Sequence, residues 1–248
     1  LTQRKILFNF RKNDLLNGGE GAPLTPLFHQ LITAQNKLNL PLCILNIGGI
    51  SNITIINEPI GSENIFSKDI GPGNCLIDQW VRKNSNKKYD LDGNLASSGE
   101  INEIILEQAQ ELYANRIIKK RSLDVSDFDI SFARGLSLKD GARTLTDFTA
   151  SLIGDELKKI INIINNSIKN IYLCGGGRKN KILIENIKQY LPSTIKLTLI
   201  DDFKINGDFI ESQAFAFLAI RSYQKLPITF PNTTGCKKPS RGGELIEN

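Results

Sequence analysis

Apolar residues in several parts of the chain follow the patterns of buried β-strands. Residues 42–47 form an almost continuous apolar run, and after the Gly48-Gly49 pair apolar residues recur at Ile50, Ile53 and Ile55. Both patterns are typical of strands, so we predict two strands joined by a glycine turn. The predicted strands lie at residues 42–47, at 50–55, in a short segment that ends at Asp69, at 171–174 and at 195–200.

Other segments repeat their apolar residues every three or four positions, which predicts amphipathic helices. These helices are expected directly after Gly73, at residues 101–115 and 138–167, from Asn180 to Tyr190, and at 209–223. Alternation of strands and helices indicates an α/β fold, a mixed sheet with flanking helices. The first 40 residues lack such periodicity and contain a glycine-rich loop at 17–23.

The composition is that of a globular protein and excludes several classes of partner. The chain has 248 residues, of which 40% are apolar and 23% charged, and its net charge is +5. Aromatic residues make up 7% and are not interleaved with basic runs, so we expect no nucleic-acid partner. No apolar run approaches the roughly 18 residues of a membrane span, so we expect no membrane partner and a cytoplasmic location.

Three residue types limit the candidate chemistry. A histidine-based zinc site or a Ser-His-Asp hydrolase would have to be built on His29, the single histidine. The four cysteines are far apart, which indicates reduced, mostly buried thiols. Methionine is absent even from position 1, so we expect the N-terminus to be incomplete.

Two glycine-rich loops follow predicted strands, which is where open α/β sheets bind ligands. Gly48 and Gly49 would let backbone N–H groups approach a phosphate, although this pattern alone favours a plain hairpin turn. Residues 175–177 are three consecutive glycines that suit the flat approach of a nucleoside, with Asn180 as the cap of the next helix. A tight strand-to-helix turn explains them equally well, since both the P-loop and the dinucleotide fingerprint are absent.

Two carboxylates are candidates for chemistry. Asp69 opens the loop DIGPGN at 69–74, and as a strand-end residue it could act as a general base. Free N–H groups at the start of the following helix would then bind a polar ligand, whereas the alternative makes Asp69 a turn or capping residue. Glu211 begins a helix rich in small residues; it either points into a cleft or is a solvated helix-start residue.

Taken in order, these motifs resemble the anhydro-N-acetylmuramic acid kinase family over essentially the whole chain. The matching motifs are NGGEGAPL at 17–24, NIGGISNIT at 46–54, DIGPGN at 69–74, DLDG at 90–93, TLTDFTA at 144–150, CGGG at 174–177 with Asn180, and Glu211 before AFA at 214–216.

The resemblance implies a two-lobed fold of the actin/hexokinase-like (ribonuclease H-like) ATPase type, with ATP and Mg²⁺ between the lobes. The family's reaction adds water to the anomeric carbon of 1,6-anhydro-N-acetylmuramic acid, which opens the anhydro bridge while O6 takes the γ-phosphate. The product is N-acetylmuramic acid 6-phosphate, and the process is cell-wall recycling. A homodimer is left open.

The resemblance also implies roles for individual residues. Asp69 would be the base that activates the water. The substrate-binding residues would be Arg11, Glu211, Gly71, Gly73 and Asn74. The ATP-binding residues would be Gly48, Gly49, Asn52, Gly175, Gly176, Gly177 and Asn180. No metal ligand is assigned.

The chain departs from the family at its beginning. The family's N-terminal MSGTSLDG loop has no counterpart, so we expect the first lobe to be mostly missing. Residues 1–40 would be a remnant of that lobe, and residues 41–248 the second lobe, with the extreme C-terminus returning to the first. Asn9 replaces the family's aspartate before Phe-Arg, which removes a carboxylate from the cleft. The alternative function is therefore an inactive remnant, or a half-enzyme that needs a separate N-terminal piece.

Overall fold

A computed structural model describes residues 5–58, 65–114, 122–163 and 167–246 of the chain. The strands are β1 (Ile6–Phe8), β2 (Leu42–Ile47), β3 (Ile50–Ile56), β4 (Ile65–Pro72), β5 (Asn170–Cys174), β6 (Lys196–Leu199) and β7 (Glu244–Ile246). The α-helices are α1 (Lys12–Leu16), α2 (Pro26–Gln35), α3 (Cys75–Asn84), α4 (Asn94–Ser97), α5 (Glu103–Ala114), α6 (Leu138–Ile163), α7 (Lys181–Gln189), α8 (Ile210–Tyr223) and α9 (Pro231–Thr234).

The central feature is a five-stranded mixed sheet with the strand order β4-β3-β2-β5-β6. β3 is antiparallel to both β2 and β4, whereas β5 is parallel to β2 and β6 is parallel to β5. β3 is therefore antiparallel to the other four strands of the sheet. Helices cover both faces, which confirms the fold class predicted from the sequence.

The two faces of the sheet pack against different helices. Leu45 of β2 shares a buried cluster with Ile153 of α6 and with residues of α7. Its neighbour Ile44 points to the opposite face, where it joins Phe28 of α2 and Ala214 of α8. Because β2 is covered on both sides, its sequence reads as a continuous apolar run rather than an alternating one.

β4 is longer than the sequence predicted. The prediction that this strand ends at Asp69 is wrong, since β4 continues to Pro72. A β-bulge between Ser51 and Asn52 shifts the register, so that Ser51 pairs with Gly71 while Asn52 pairs with Asp69. The bulge lets pairing continue past the carboxylate, which therefore lies within a strand.

Several helices have the predicted positions, whereas α1, α2, α4 and α9 were not predicted. The helices expected at 101–115, 138–167 and 209–223 are confirmed as α5, α6 and α8, although residues 115 and 164–166 lie outside the described residues. The sequence analysis did not predict α2, which begins with Pro26. Proline at the first helical position is a helix-start signal that marks this element.

The two ends of the described chain meet. β1 and β7 form a separate antiparallel pair in which Ile6 lies opposite Ile246. The division into lobes at residue 40 stays a prediction. The four cysteines are free and buried, as predicted. Within the described ranges, no helix combines the length and the apolar character needed to cross a membrane.

A close contact between α3 and α6 suggests a test of the packing. The Trp80 indole is 3% exposed, and its Nε1 donates a hydrogen bond of 3.0 Å to the Leu138 carbonyl. A Cβ atom at Gly141 would lie 2.2 Å from Cε2 of that ring. Any side chain at position 141 must therefore displace Trp80.

We expect Gly141→Ala to lower the free energy of unfolding by about 2 kcal/mol, because overpacking outweighs the better helix propensity of alanine. Urea unfolding followed by Trp80 fluorescence measures this change. Gly49→Ala is the matched control, since a methyl group there meets no atom within 4 Å. A Gly141→Ala chain that is as stable as the unmutated one would contradict the packing described.

Candidate active site

The two predicted nucleotide loops lie side by side at the C-terminal ends of β2 and β5. β2 and β5 run parallel, and Asn46 pairs with Cys174, so both strands deliver their loops to the same end. A Cβ atom at Gly175 would lie 2.5 Å from Oδ1 of Asn46, and one at Gly177 would lie 2.2 Å from Cγ2 of Ile47. The loops can touch because these positions are glycine.

The Gly48-Gly49 turn is hydrogen-bonded to the start of α3. The N–H of Gly73 donates to the Gly49 carbonyl at 2.9 Å, Asn74 donates to the Gly48 carbonyl at 2.8 Å, and Cys75 donates to the Gly49 carbonyl at 3.2 Å. The expectation that this helix start offers free N–H groups is therefore wrong for these three groups. A Cβ atom at Gly73 would lie 2.2 Å from the Gly48 oxygen, so this close approach also requires glycine.

The turn leaves an open surface that a ligand can reach. A Cβ atom at Gly49 would meet nothing within 4 Å, and Gly176 is exposed as well. Next to Gly176 a groove of about 320 Å³ is lined by Asn74, Asp90 and Asn180, among others. Its size is at the lower end of small-molecule sites, which begin at about 300 Å³.

Residues of the DLDG segment at 90–93 also line this groove. The Asp90 carboxylate accepts hydrogen bonds from the N–H groups of Leu95 at 2.7 Å and Ala96 at 3.0 Å, so it caps α4. Asn180 caps α7 by accepting a hydrogen bond from the Leu183 N–H at 3.1 Å, as predicted. Among the described residues, no cluster of three or more His, Cys, Asp or Glu side chains could hold a metal ion.

Arg178 fixes the shape of the second glycine loop, a role that the sequence analysis missed. Its side chain is 4% exposed, and its Nη1 donates to the Gly175 carbonyl at 2.9 Å. The guanidinium also binds Asp201 through two hydrogen bonds of 2.7 and 2.8 Å, and Asp208 through one of 2.7 Å. The hydrogen bond from Arg178 lowers the pKa of Asp201 to about 2.

Asp69 lies in a row of polar side chains that crosses three strands. Asn46 of β2 pairs with Asn52 of β3, which pairs with Asp69 of β4, so the three side chains share one face. Oδ1 of Asn52 is buried and has no hydrogen-bond partner within the described part of the chain. This unsatisfied acceptor marks a place for a donor from a ligand or water.

The environment of Asp69 makes it a stronger base than a solvated carboxylate. Burial raises the pKa of Asp69 to about 6, and the negative charge of Glu20 acts in the same direction. The hydrogen bond from the Leu123 N–H, at 2.8 Å, opposes the rise, as does the positive charge of Arg11. A carboxylate with this proton affinity is suited to general-base chemistry near neutral pH.

The structure brings some of the predicted sugar-binding residues to Asp69 and not others. Arg11 is exposed and lies close enough to lower the pKa of Asp69. Gly71 is buried within β4. Glu211 is exposed in the first turn of α8, and the contacts described for Asp69 do not include it.

Glu20 is a second acidic residue of this site that the sequence analysis did not single out. Its Oε2 accepts a hydrogen bond of 2.6 Å from the Ser122 N–H, next to the Leu123 N–H that binds Asp69. The N–H groups of two consecutive residues, Ser122 and Leu123, therefore bind the two carboxylates. The only sequence signal was the position of Glu20 within a glycine-rich loop.

Comparison with known proteins points to one family. The family model described as anhydro-N-acetylmuramic acid kinase matches residues 1–247. A curated protein of that description from Pelagibacter ubique is 51% identical over 100% of this chain and 66% of its own length. One from Agrobacterium fabrum is 35% identical over 97% of this chain and 64% of its own length. The chain thus spans slightly less than two thirds of these relatives.

A solved structure also aligns with the chain. It is the activator of the 2-hydroxyisocaproyl-CoA dehydratase from Clostridium difficile with bound ADPNP. The alignment covers 82% of this chain and 68% of that one, at 10% sequence identity and a TM-score of 0.44.

We expect Arg178→Ala to lower the free energy of unfolding by about 3 kcal/mol, because it leaves the Gly175 carbonyl and two carboxylates without their shared partner. Lys179→Ala is the matched control, since this exposed lysine binds the same Asp208 and should contribute less than about 1 kcal/mol. Urea denaturation measures both. Equal effects of the two substitutions would contradict the role given to Arg178.

Asp69 should make the stability of the chain depend on pH. Because its pKa is raised to about 6 in the folded chain, the folded state binds a proton more readily than the unfolded state. The penalty for burying the charge is therefore complete above pH 6 and is relieved as the pH falls.

Between pH 7 and pH 5, the unmutated chain should gain about 1 kcal/mol of stability relative to Asp69→Asn. The variant keeps an oxygen that can accept the Leu123 N–H, and other titrating groups cancel in the difference. Denaturant unfolding at both pH values gives the result. A difference that stays constant with pH, or that has the opposite sign, would show that folding does not raise the pKa of Asp69.

Proposed function

Because this chain belongs to the anhydro-N-acetylmuramic acid kinase family, we propose that it carries the catalytic base of an ATP-dependent kinase acting on 1,6-anhydro-N-acetylmuramic acid. The kinase opens the anhydro bridge with water and phosphorylates O6, and the product is N-acetylmuramic acid 6-phosphate. The reaction belongs to cell-wall recycling and takes place in the cytoplasm.

One observation carries the proposal, namely the raised proton affinity of Asp69 beside the glycine loops. Asp69 accepts a proton from a water molecule as the water oxygen bonds to the anomeric carbon. The bond between that carbon and O6 breaks, and O6 bonds to the γ-phosphorus of ATP as ADP leaves. Arg11 and Glu211 hold the sugar in the proposed enzyme, together with Gly71 near the end of β4 and with Gly73 and Asn74 directly after that strand.

The residues of the two glycine loops, at the C-terminal ends of β2 and β5, fit a nucleotide. Gly49 and Gly176 present no side chain to an approaching phosphate or base, and the groove beside Gly176 offers a polar group from Asn180. The unsatisfied Oδ1 of Asn52, which pairs with Asn46 and Asp69 on the neighbouring strands, is a further polar group. Gly175 and Gly177 complete the loop. These residues bind and orient ATP, and the protein contributes positioning more than covalent chemistry.

Mg²⁺ bound to the phosphates of ATP neutralises charge that develops during the transfer. Magnesium usually keeps several waters and uses few protein carboxylates, so its presence needs no cluster of acidic side chains. We assign no residue of this chain to it. Asn9 stands where a carboxylate would be expected and adds no acidic ligand.

The test is a product assay on the purified chain with ATP, Mg²⁺ and the anhydro sugar, read by mass spectrometry. Asp69→Asn should lower the rate by about 10³-fold, because removal of a general base typically costs this much. Asp202→Asn is the matched control, since this exposed carboxylate follows β6 at the opposite edge of the sheet from β4.

Three outcomes distinguish the alternatives. Product that disappears with Asp69→Asn supports the proposal for this chain alone. Product that appears only after the family's N-terminal segment is added supports a half-enzyme that needs a separate piece. No product in either mixture would favour the inactive remnant and contradict the proposed activity.

A further inference from the structure

The loop that carries Glu20 is built around a buried carboxylate. Asp14 is 1% exposed, and its two oxygens accept hydrogen bonds from the Gly21 N–H at 2.8 Å and the Thr234 hydroxyl at 2.6 Å. A Cβ atom at Gly19 would lie 2.2 Å from Oδ2 of Asp14, so the loop wraps tightly around it. The backbone is fixed on both sides of Glu20.

The Glu20 backbone is itself anchored from the far end of the chain. Its N–H donates to the Thr234 carbonyl at 2.9 Å. With the main chain held in this way, the direction of the Glu20 side chain is restricted to what its few rotamers allow. The loop therefore presents the carboxylate at a defined place.

That place is beside Asp69. Two consecutive amides, those of Ser122 and Leu123, hold the carboxylates of Glu20 at 2.6 Å and Asp69 at 2.8 Å. The two acidic groups are thereby brought together from parts of the chain that are far apart in sequence. The negative charge of Glu20 raises the pKa of Asp69, and it adds to the larger effect of burial.

The other charged groups around Asp69 are Arg11 and the charged residues of a neighbouring groove. The positive charge of Arg11 lowers the pKa of Asp69 and so partly offsets the effect of Glu20. Asp69 also borders a groove whose charged lining residues are Lys68, Glu111, Asp155, Glu156 and Lys159. Both lysines are paired with Glu156, at 2.8 Å and 2.7 Å. Within the described residues, Glu20 is the carboxylate bound by the N–H group next to the one that binds Asp69.

We propose that Glu20 is a positioning residue that acts through Asp69. The Ser122 N–H holds the Glu20 carboxylate in place. The negative charge of that carboxylate makes Asp69 basic enough to take a proton from water. The inference rests on the proposed function of Asp69 as the base. A base with a higher proton affinity accepts the proton of the attacking water more readily, provided that it is still ionised at the working pH.

The test is a carbon-13 NMR titration of the 248-residue chain with labelled aspartate carboxyl groups, in which Asp69→Asn identifies the Asp69 signal. Glu20→Gln removes the charge and keeps an oxygen that can accept the Ser122 N–H. We expect it to lower the titration midpoint of Asp69 by roughly half a pH unit, because burial and not Glu20 is the largest cause of the raised pKa. Asp202→Asn, which removes one negative charge elsewhere, should leave the midpoint unchanged.

An Asp69 midpoint that is the same in Glu20→Gln as in the unmutated chain would overturn the inference. If Glu20→Gln does not fold, as judged by near-UV circular dichroism, the unmutated chain with labelled glutamate provides a second measurement. The Glu20 signal should then show an inflection at the pH where Asp69 titrates, because coupled groups respond to each other. A Glu20 signal without that inflection would overturn the inference.

An activity measurement separates this inference from the proposed function. In an active enzyme, the acidic limb of kcat/KM against pH should move to lower pH in Glu20→Gln by the same amount as the NMR midpoint. Absence of kinase activity in the unmutated enzyme would refute the proposed function, while the NMR titration would still decide whether Glu20 acts on Asp69.

Discussion

Three hydrogen bonds between the Gly48-Gly49 turn and the start of α3 hold the candidate site together. They join the hairpin that follows β2 to the segment that follows β4, and they use backbone groups only. Gly73 makes the contact possible, since any side chain there would collide with the Gly48 carbonyl. The turn and the Asp69 strand thereby keep a fixed relation, and the proposed chemistry depends on that relation.

The site combines tight backbone packing with a carboxylate in an unfavourable environment. Arg178 uses two carboxylates to hold the Gly175 carbonyl, which stabilises a loop that offers few side-chain contacts of its own. Asp69 is instead buried with weak compensation, and its raised pKa is the result. The proposed function requires Asp69 to be a strong base, and this loss of stability accompanies that role while the surrounding sheet stabilises the fold.

The sequence predicted local features better than long-range ones. The strand pair around Gly48-Gly49 and the Asn180 cap depend on neighbouring residues, so their patterns are visible in the chain. The extension of β4 past Asp69 depends on a bulge in its pairing with β3, where Ile70 has no partner, and no local pattern marks it. Glu20 and Ser122 are 102 positions apart, and Arg178 and Asp208 are 30 apart, so their contacts follow from the fold and not from any motif.

The central claim is that the two glycine loops form one nucleotide site next to Asp69. Amide chemical-shift mapping of the 248-residue chain during titration with millimolar ATP tests it directly. We expect the largest changes at Gly48, Gly49 and residues 175–177, with the β1–β7 pair unaffected. Chemical-shift changes that are confined to one loop, or that are centred away from these two loops, would contradict the account.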